Sequence, residues 1–295
     1  KHFKKILMNF LYKIPGYILL LFGGFCLSWG GFIIRSFEEA SVWQILLLRS
    51  VFFMIALIIF LFATYRKDTI KIIKDAGYPA VLGGLVMSLS FIAFVVSMSN
   101  TTVANVVFII STQTMFLAVF GYFYLKEKVS LISFFSIILA MTGITIMVGD
   151  SLSSGSFFGN IVALAIPINF SILVMIIRKN KNLDMVPAIF YSGLFSIIYG
   201  LILSESFVFN NHDIFMGFLL GVPQLAFGFI CITIGSRTTP STTIGLLMLT
   251  ETLFAPIWVW LFLNEIPPLS VLIGGSVIIV AIIIKSFEKN KVTST

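Results

Sequence analysis

Charged residues are scarce in this 295-residue chain. Asp, Glu, Lys and Arg make up 11% of it, whereas 59% of the residues are hydrophobic. The mean hydropathy is +1.08. Soluble domains carry about 25% charged residues, so this composition excludes an ordinary soluble domain.

Cysteine and histidine are also rare. Cys26 and Cys231 fall inside apolar segments, whereas His2 lies in the N-terminal tail and His212 is assigned to an outer loop, at the very start of the eighth apolar segment. This pattern offers neither a disulfide framework nor a cluster of metal ligands. The motifs H-E-x-x-H, G-x-S-x-G and the Walker phosphate loop do not occur in the sequence. We therefore expect no metal and no cofactor, and a membrane-embedded enzyme is disfavoured.

Long apolar runs fill the chain instead. A transmembrane helix needs about 20 mostly apolar residues at 1.5 Å rise per residue. Ten segments meet this condition: 15–37, 41–65, 76–98, 100–125, 130–149, 157–177, 187–204, 211–235, 240–263 and 269–285. The sequence thus predicts an all-α integral membrane protein with ten transmembrane helices.

The basic residues follow the connections in a strict alternation. Of the 19 Lys and Arg residues, only Arg35 lies at an outer helix end, that of the first span, and only Arg49 lies well inside a span; the others lie at or beyond the span ends on the side of the N-terminus. Lys and Arg collect in cytoplasmic loops, so the pattern predicts a multi-pass protein of the cell (inner) membrane with both termini in the cytoplasm. The basic residues that give the net charge of +7 are therefore expected beside the membrane. There they favour anionic lipid, not nucleic acid, as a partner.

The chain contains an internal repeat. Ser99-Asn100-Thr101-Thr102 parallels Ser236-Arg237-Thr238-Thr239, and Phe32-Ile33-Ile34-Arg35 parallels Met175-Ile176-Ile177-Arg178. We interpret residues 1–150 and 151–295 as two five-helix repeats. Because five is odd, the second repeat enters the membrane from the opposite side. Inverted repeats are a common plan of secondary transporters.

Short motifs in register carry a family resemblance. Leu125-Lys126-Glu127 parallels Leu263-Asn264-Glu265, and the first two spans contain Ser28-Trp29-Gly30 and Leu48-Arg49-Ser50-Val51-Phe52. With these motifs the chain resembles the drug/metabolite transporter (DMT) superfamily, specifically its EamA-like branch of ten-helix transporters. The resemblance implies solute export or uptake with varied substrates.

The ninth span departs from the family pattern. Members often have Glu-Pro there, whereas Glu251 precedes Thr252 in this chain and the proline is Pro256. Any family role of that helix bend is therefore displaced by about one turn.

Helix-breaking residues at matching places in two repeats indicate a transporter's binding site. Gly24 corresponds to Pro167, and Gly84 corresponds to Gly221, which lies beside Pro223. We interpret these five residues as hinges or helix breaks. For the glycines, close helix packing is an alternative.

Two charges lie within predicted spans. Glu251 stands on the order of 16 Å into the ninth span. Three interpretations compete for a carboxylate at this depth: a protonated structural donor, a proton-coupling site, or a contact for a cationic group. Arg49 either reaches outward as an interfacial anchor or meets a carboxylate, of Glu251 or of a solute.

Other side chains complete the predicted site. Trp29 and Phe91 offer an aromatic wall to a ring or an ammonium group, although most of the 32 phenylalanines are expected to pack or to face lipid. The polar and aromatic residues predicted to bind or couple also include Asn105, Gln113, Asn169, Gln224 and Trp258.

The function that these features favour is secondary active transport by alternating access. The transported molecule would be a small organic solute such as an amino acid or related metabolite. A solute or ion gradient would drive transport, and a proton is one candidate for the coupled ion. The resemblance favours export, and no oligomer is required. A membrane-embedded enzyme, a passive channel and a scaffold are the alternatives.

Overall fold

The computed structural model describes residues 11–101, 103–148, 157–263 and 269–286. No strand occurs within these ranges. The helices, in chain order, are α1 Gly16–Leu27, α2 Gly30–Arg35, α3 Val42–Tyr65, α4 Thr69–Asn100, α5 Val103–Ser111, α6 Gln113–Leu125, α7 Leu131–Val148, α8 Phe157–Lys179, α9 Val186–Leu203, α10 Asn211–Leu219, α11 Phe227–Ser236, α12 Ser241–Leu263 and α13 Leu269–Ser286. A 3₁₀ turn spans Arg66–Asp68, and a π-helical segment spans Leu220–Ala226.

Six helical stretches of the described chain are long and apolar enough to cross a membrane. The longest, Val42–Asn100, contains two of the segments predicted from sequence. Between them Arg66 takes a positive φ of 54° and ends α3. Three shorter apolar helices are Ile109–Leu125, Leu131–Gly143 and Leu272–Ile284. The all-helical membrane class is confirmed, whereas ten crossings and the inverted repeat stay predictions.

Several predicted spans are interrupted. The first is divided between α1 and α2 at Ser28 and Trp29, and the fourth is divided between α5 and α6 at Thr112. The eighth passes through the π-helical segment around Pro223. Where a helix is irregular, backbone groups and side chains are redirected toward the protein interior, which alone can satisfy them in hydrocarbon.

Three of the predicted breaks are absent. Helix α1 runs through Gly24, α4 runs through Gly84, and α8 runs through Pro167. The freedom of glycine and the missing N–H of proline therefore do not interrupt the helices at these residues, and a hinge role for each of them stays a prediction. The first span breaks about one turn after Gly24 instead.

Helices from distant parts of the sequence pack against one another. Helix α4 packs against α8 and α9, α1 packs against α11 and α12, and α7 packs against α13. Large apolar side chains such as Leu131 (76% exposed) and Phe135 (64% exposed) lie on the outside of the bundle. An apolar exterior of this kind fits contact with lipid.

Hydrogen bonds tie together the helix ends at one end of the bundle. Helix α3 begins at a capping box of Ser41 and Gln44. Nearby, the buried Asp213 carboxylate accepts backbone N–H groups of Glu38, Glu39 and Ala40 at 2.9–3.1 Å. We call this end the acidic face. It stands about 36 Å from the other end of α3, given 24 residues at 1.5 Å each.

Two of the predicted hinge glycines allow close helix contact. A Cβ added at Gly84 would lie 2.4 Å from the Cβ of Tyr191 in α9. A Cβ added at Gly221 would lie 2.5 Å from the carbonyl oxygen of Arg49 in α3. Small residues let transmembrane backbones approach each other, so both positions allow close packing, while their hinge role stays a prediction.

Gly84→Ala is expected to destabilise the protein by about 1–3 kcal/mol, because the new methyl group overlaps Tyr191 and the α9 backbone. Thermal unfolding of the detergent-purified protein measures this effect. Gly275→Ala is the matched control, since its Cβ would lie 3.5 Å from Leu253, an ordinary contact. Equal melting temperatures for both variants would contradict close packing at Gly84.

Candidate functional site

A cavity lies in the interior of the bundle. Its volume is about 50 Å³, which is room for a few water molecules. Eight of its lining residues precede residue 150 and seven follow residue 151, so both predicted halves build it. Ten of the side chains are apolar, and the polar ones are Arg49, Ser90, Gln113, Gln224 and Glu251.

Arg49 of α3 is turned into this interior. Its side chain is 1% exposed, so the interpretation as an outward-reaching interfacial anchor is wrong. Its Nη2 donates to the carbonyl oxygen of Phe91 at 2.9 Å, and its Cζ lies 5.0 Å from the Phe91 ring and 5.8 Å from the Phe94 ring. Its buried Nε has no hydrogen-bond partner among the described residues. The guanidinium is thus positioned but not neutralised.

Glu251 of α12 faces the same cavity. Gly24 lets α1 approach α12 here, since a Cβ at this glycine would lie 3.2 Å from the Cβ of Thr250, which is tighter than an ordinary contact. Within the described part of the chain, the ion pair is Arg178–Glu127, so Glu251 and Arg49 line one cavity without direct contact. The predicted direct pair is therefore absent, and a contact of either charge with a solute stays open.

Gln113 and Gln224 place amide groups beside the two charges. Gln113 is the first residue of α6, directly after the Thr112 break, and is 3% exposed. Gln224 lies in the π-helical segment after Pro223 and is 4% exposed. Its Nε2 donates to the carbonyl oxygen of Leu27 at 3.2 Å, whereas its buried Oε1 has no partner in the described structure. Both helix irregularities thus deliver a polar side chain to the cavity.

The two predicted tryptophans lie elsewhere. Trp29 stacks on Trp258 with ring centroids 3.9 Å apart, and the Trp258 Nε1 donates to the Ser28 hydroxyl at 2.7 Å. Neither ring belongs to the cavity wall, which contains Phe91. The expected wall of Trp29 with Phe91 is therefore not formed, because the tryptophans pack the α1–α2 break against α12.

Two predicted asparagines do not enter the site. Asn169 of α8 is half-buried and is not part of the cavity wall. The side chain of Asn105 lies outside the described residues. Sequence reasoning missed Phe94, Phe170 and Phe229, which line the cavity and carry no signal that separates them from the other phenylalanines.

Charged residues tie the helix ends at the other end of the bundle, which we call the basic face. Glu127, just after α6, forms an ion pair with Arg178 of α8, and its Oε2 accepts the backbone N–H of Ser241 at 2.9 Å. Arg178 also donates to the carbonyl oxygens of Ser236 and Thr239. One carboxylate thus joins the ends of α6 and α8 and caps α12.

A second cluster lies on the basic face. The Tyr12 hydroxyl donates to the Asp184 carboxylate at 2.5 Å, Tyr65 donates to the same oxygen, and the Arg237 guanidinium lies 5.6 Å from the Tyr12 ring. Burial, with the charge of Asp184, raises the pKa of Tyr12. The phenol therefore stays protonated at neutral pH and keeps its hydrogen bond.

Glu127→Ala is expected to destabilise the protein by about 1.5–3 kcal/mol, because it removes hydrogen bonds made by a charged group. Glu127→Gln retains an acceptor for Ser241 and should cost less. Thermal unfolding compares both variants with Glu38→Gln, a change at an exposed carboxylate. A melting temperature of Glu127→Ala equal to that of the unaltered protein would show that the tie contributes nothing.

The geometry defines a helical membrane protein whose interior cavity carries five polar side chains, and comparison with known proteins gives its family. Residues 14–149 and 156–287 each match the EamA-like transporter family. The chain therefore belongs to this family, which confirms the resemblance to the DMT superfamily, and it is a multi-pass membrane protein of a transporter class.

Similar proteins agree with this assignment. An uncharacterized transporter of Clostridium kluyveri is 26% identical over 260 residues, which cover 81% of this chain and 82% of that protein. An uncharacterized transporter of Methanothermobacter thermautotrophicus is 27% identical over 202 residues, 63% of this chain and 57% of its own length. A protein crystal structure with 13% identity superimposes with a TM-score of 0.77 over 92% of this chain and 96% of its own, which shows a shared fold.

Proposed function

We propose that this protein is a secondary active transporter that moves a small organic solute, such as an amino acid or related metabolite, across the cytoplasmic membrane. The observation that carries the proposal is the interior cavity, where Arg49 and Glu251 face one space without pairing. Charged groups inside a membrane are costly and usually mark a transport pathway. The cavity is the proposed solute site.

Alternating access is the proposed mechanism. Ten transmembrane helices in two inverted five-helix repeats would let the halves rock about the shared cavity. The two stretches that match the family, 14–149 and 156–287, support the proposed repeats at 1–150 and 151–295. The α5–α6 break at Thr112 and the π-helical segment at Pro223 are the irregularities on which bending would centre.

The two tied faces are the proposed gates. The Glu127–Arg178 ion pair holds the basic face, and the Asp213 carboxylate holds the acidic face. Opening toward either side requires the helix ends on that side to separate. In the proposed orientation, which rests on the placement of Lys and Arg, the basic face and both termini lie in the cytoplasm. A gradient would drive the cycle, and the family favours export.

Counterflow in liposomes tests this proposal. Protein-containing liposomes loaded with an unlabelled solute should take up the labelled solute transiently, with a rate that saturates, because a carrier exchanges one bound solute for another. Arg49→Lys should weaken the apparent affinity about tenfold or more, since it replaces a planar guanidinium held between aromatic rings.

Arg35→Lys is the matched control for this experiment, because Arg35 is exposed at the end of α2. It should transport like the unaltered protein. If a broad panel of metabolites gives no saturable counterflow, the transporter proposal fails. A flux that rises without saturation would indicate a passive channel.

Proton coupling through Glu251 is a separate part of the proposal. Glu251→Gln removes the proton-binding carboxylate while keeping its size, so proton-driven transport should stop while exchange at saturating solute persists. A pH jump across liposome membranes measures the first activity, and counterflow measures the second. Proton-driven uptake that is unaltered in this variant would assign the carboxylate another role.

A further inference from the structure

Helix α4 is longer than a membrane crossing requires. It has 32 residues, and its backbone is non-helical at Gly77. The 22 residues from 79 to 100 alone reach about 33 Å at 1.5 Å each, which exceeds the hydrocarbon thickness of about 30 Å. Helix α3 before it, with 24 residues, also reaches across. The residues between these two crossings therefore lie at the membrane surface.

This surface segment has a defined backbone. Gly77 takes φ 53° and ψ −152°, a conformation that glycine adopts readily and other residues rarely do. Pro79 lacks the N–H that would bond it to the preceding turn. At the other end, Arg66 reverses the chain with its positive φ, and the Thr69 hydroxyl donates to two carbonyl oxygens near the end of α3, at 2.8 and 3.3 Å. We call residues 66–78 the elbow.

The helical part of the elbow has two different faces. Thr69 is 2% exposed and Ala76 is 1% exposed, and residues seven positions apart share a helix face. Ile70, Lys71 and Lys74 are exposed. Because these three residues are neighbours on the helix surface, they form one outward-facing side. The elbow thus packs on the bundle with one face and leaves the other without a protein partner in the described chain.

Two exposed side chains of the elbow have apolar surface. Ile70 is 64% exposed, and Tyr78, at the bend, is 74% exposed. Tyrosine is enriched at the boundary between membrane and water, where its ring meets the lipid and its hydroxyl meets the water. Lysines beside such groups are typical of helices that lie in the plane of this boundary.

The basic residues of the elbow are not used within the protein. Its exposed cationic side chains are Arg66, Lys67, Lys71 and Lys74. They exceed the carboxylates Asp68 and Asp75 by two charges, and no ion pair within the described residues involves any of the six. In contrast, Arg178 on the same basic face pairs with Glu127, and Arg237 donates to a backbone carbonyl.

We propose that the elbow is a binding surface for anionic phospholipid in the membrane leaflet at the basic face. Lys71 and Lys74 attract the negatively charged head groups, while Ile70 and the Tyr78 ring insert beside the outermost acyl carbons. Electrostatic attraction to anionic lipid and burial of apolar area both contribute to such binding. This surface lies outside the interior cavity, and the proposal does not depend on the transport function.

Nanodiscs of two compositions test the proposal on the unaltered protein. One contains phosphatidylcholine alone, and the other contains equal parts of phosphatidylcholine and phosphatidylglycerol. Amide hydrogen exchange reports local opening of the backbone. Exchange of residues 69–76 should be about fivefold slower or more in the anionic discs, the factor that corresponds to attraction of a single Lys near an anionic surface. High salt should remove the difference, because it screens exposed charges.

Two double variants separate the elbow from the rest of the basic face. Lys71→Gln with Lys74→Gln should remove most of the slowing by phosphatidylglycerol. Lys179→Gln with Lys181→Gln is the matched control, because it deletes two exposed positive charges from the basic face outside the elbow. The control should keep the slowing. Equal melting temperatures of both variants and the unaltered protein in phosphatidylcholine discs show that each variant is folded.

Three outcomes would overturn the proposal. Equal exchange of residues 69–76 in both kinds of disc would show that the elbow does not bind anionic lipid. An equal loss of the slowing in the elbow variant and the control would assign the attraction to the basic face as a whole. A change of oligomeric state in the elbow variant, without any dependence on lipid, would assign the surface to a second copy of the chain.

Discussion

The cost of burying charge and peptide groups away from water governs this structure. In hydrocarbon, every backbone N–H and C=O needs a partner within the protein, and the helices supply it along most of the chain. Short exceptions include the break at Ser28 and Trp29, the Thr112 break and the π-helical segment around Pro223. The last two deliver the amide side chains of Gln113 and Gln224 to the interior cavity. Irregular backbone and buried polarity thus occur together.

Hydrogen bonds and an ion pair tie the two ends of the bundle, and close helix contacts lie between them. The Asp213 carboxylate gathers three backbone N–H groups at the acidic face, and Glu127 joins Arg178 to the start of α12 at the basic face. Gly84 and Gly221 bring neighbouring helices together between these ends. The cavity lies between these two tied faces.

Much of the site follows from residue type and depth. Glu251, Arg49, Gln113 and Gln224 stand out in the sequence because polar groups are rare in apolar segments, and all four line the cavity. Trp29 was an equally reasonable candidate, yet it stacks on another tryptophan. An aromatic side chain is equally stable facing lipid, packed between helices or lining a cavity. The residue type alone therefore does not distinguish these three surroundings.

By itself, the sequence determined the membrane class, the family and the presence of two intramembrane charges, since hydrophobic length and short motifs are local properties of the chain. Only the tertiary structure decided that Arg49 turns inward, that Glu251 shares its cavity without touching it, and that Phe94, Phe170 and Phe229 complete the wall. These facts depend on how distant helices pack and rotate against one another. That arrangement is set by contacts between residues far apart in the chain, which no local pattern records.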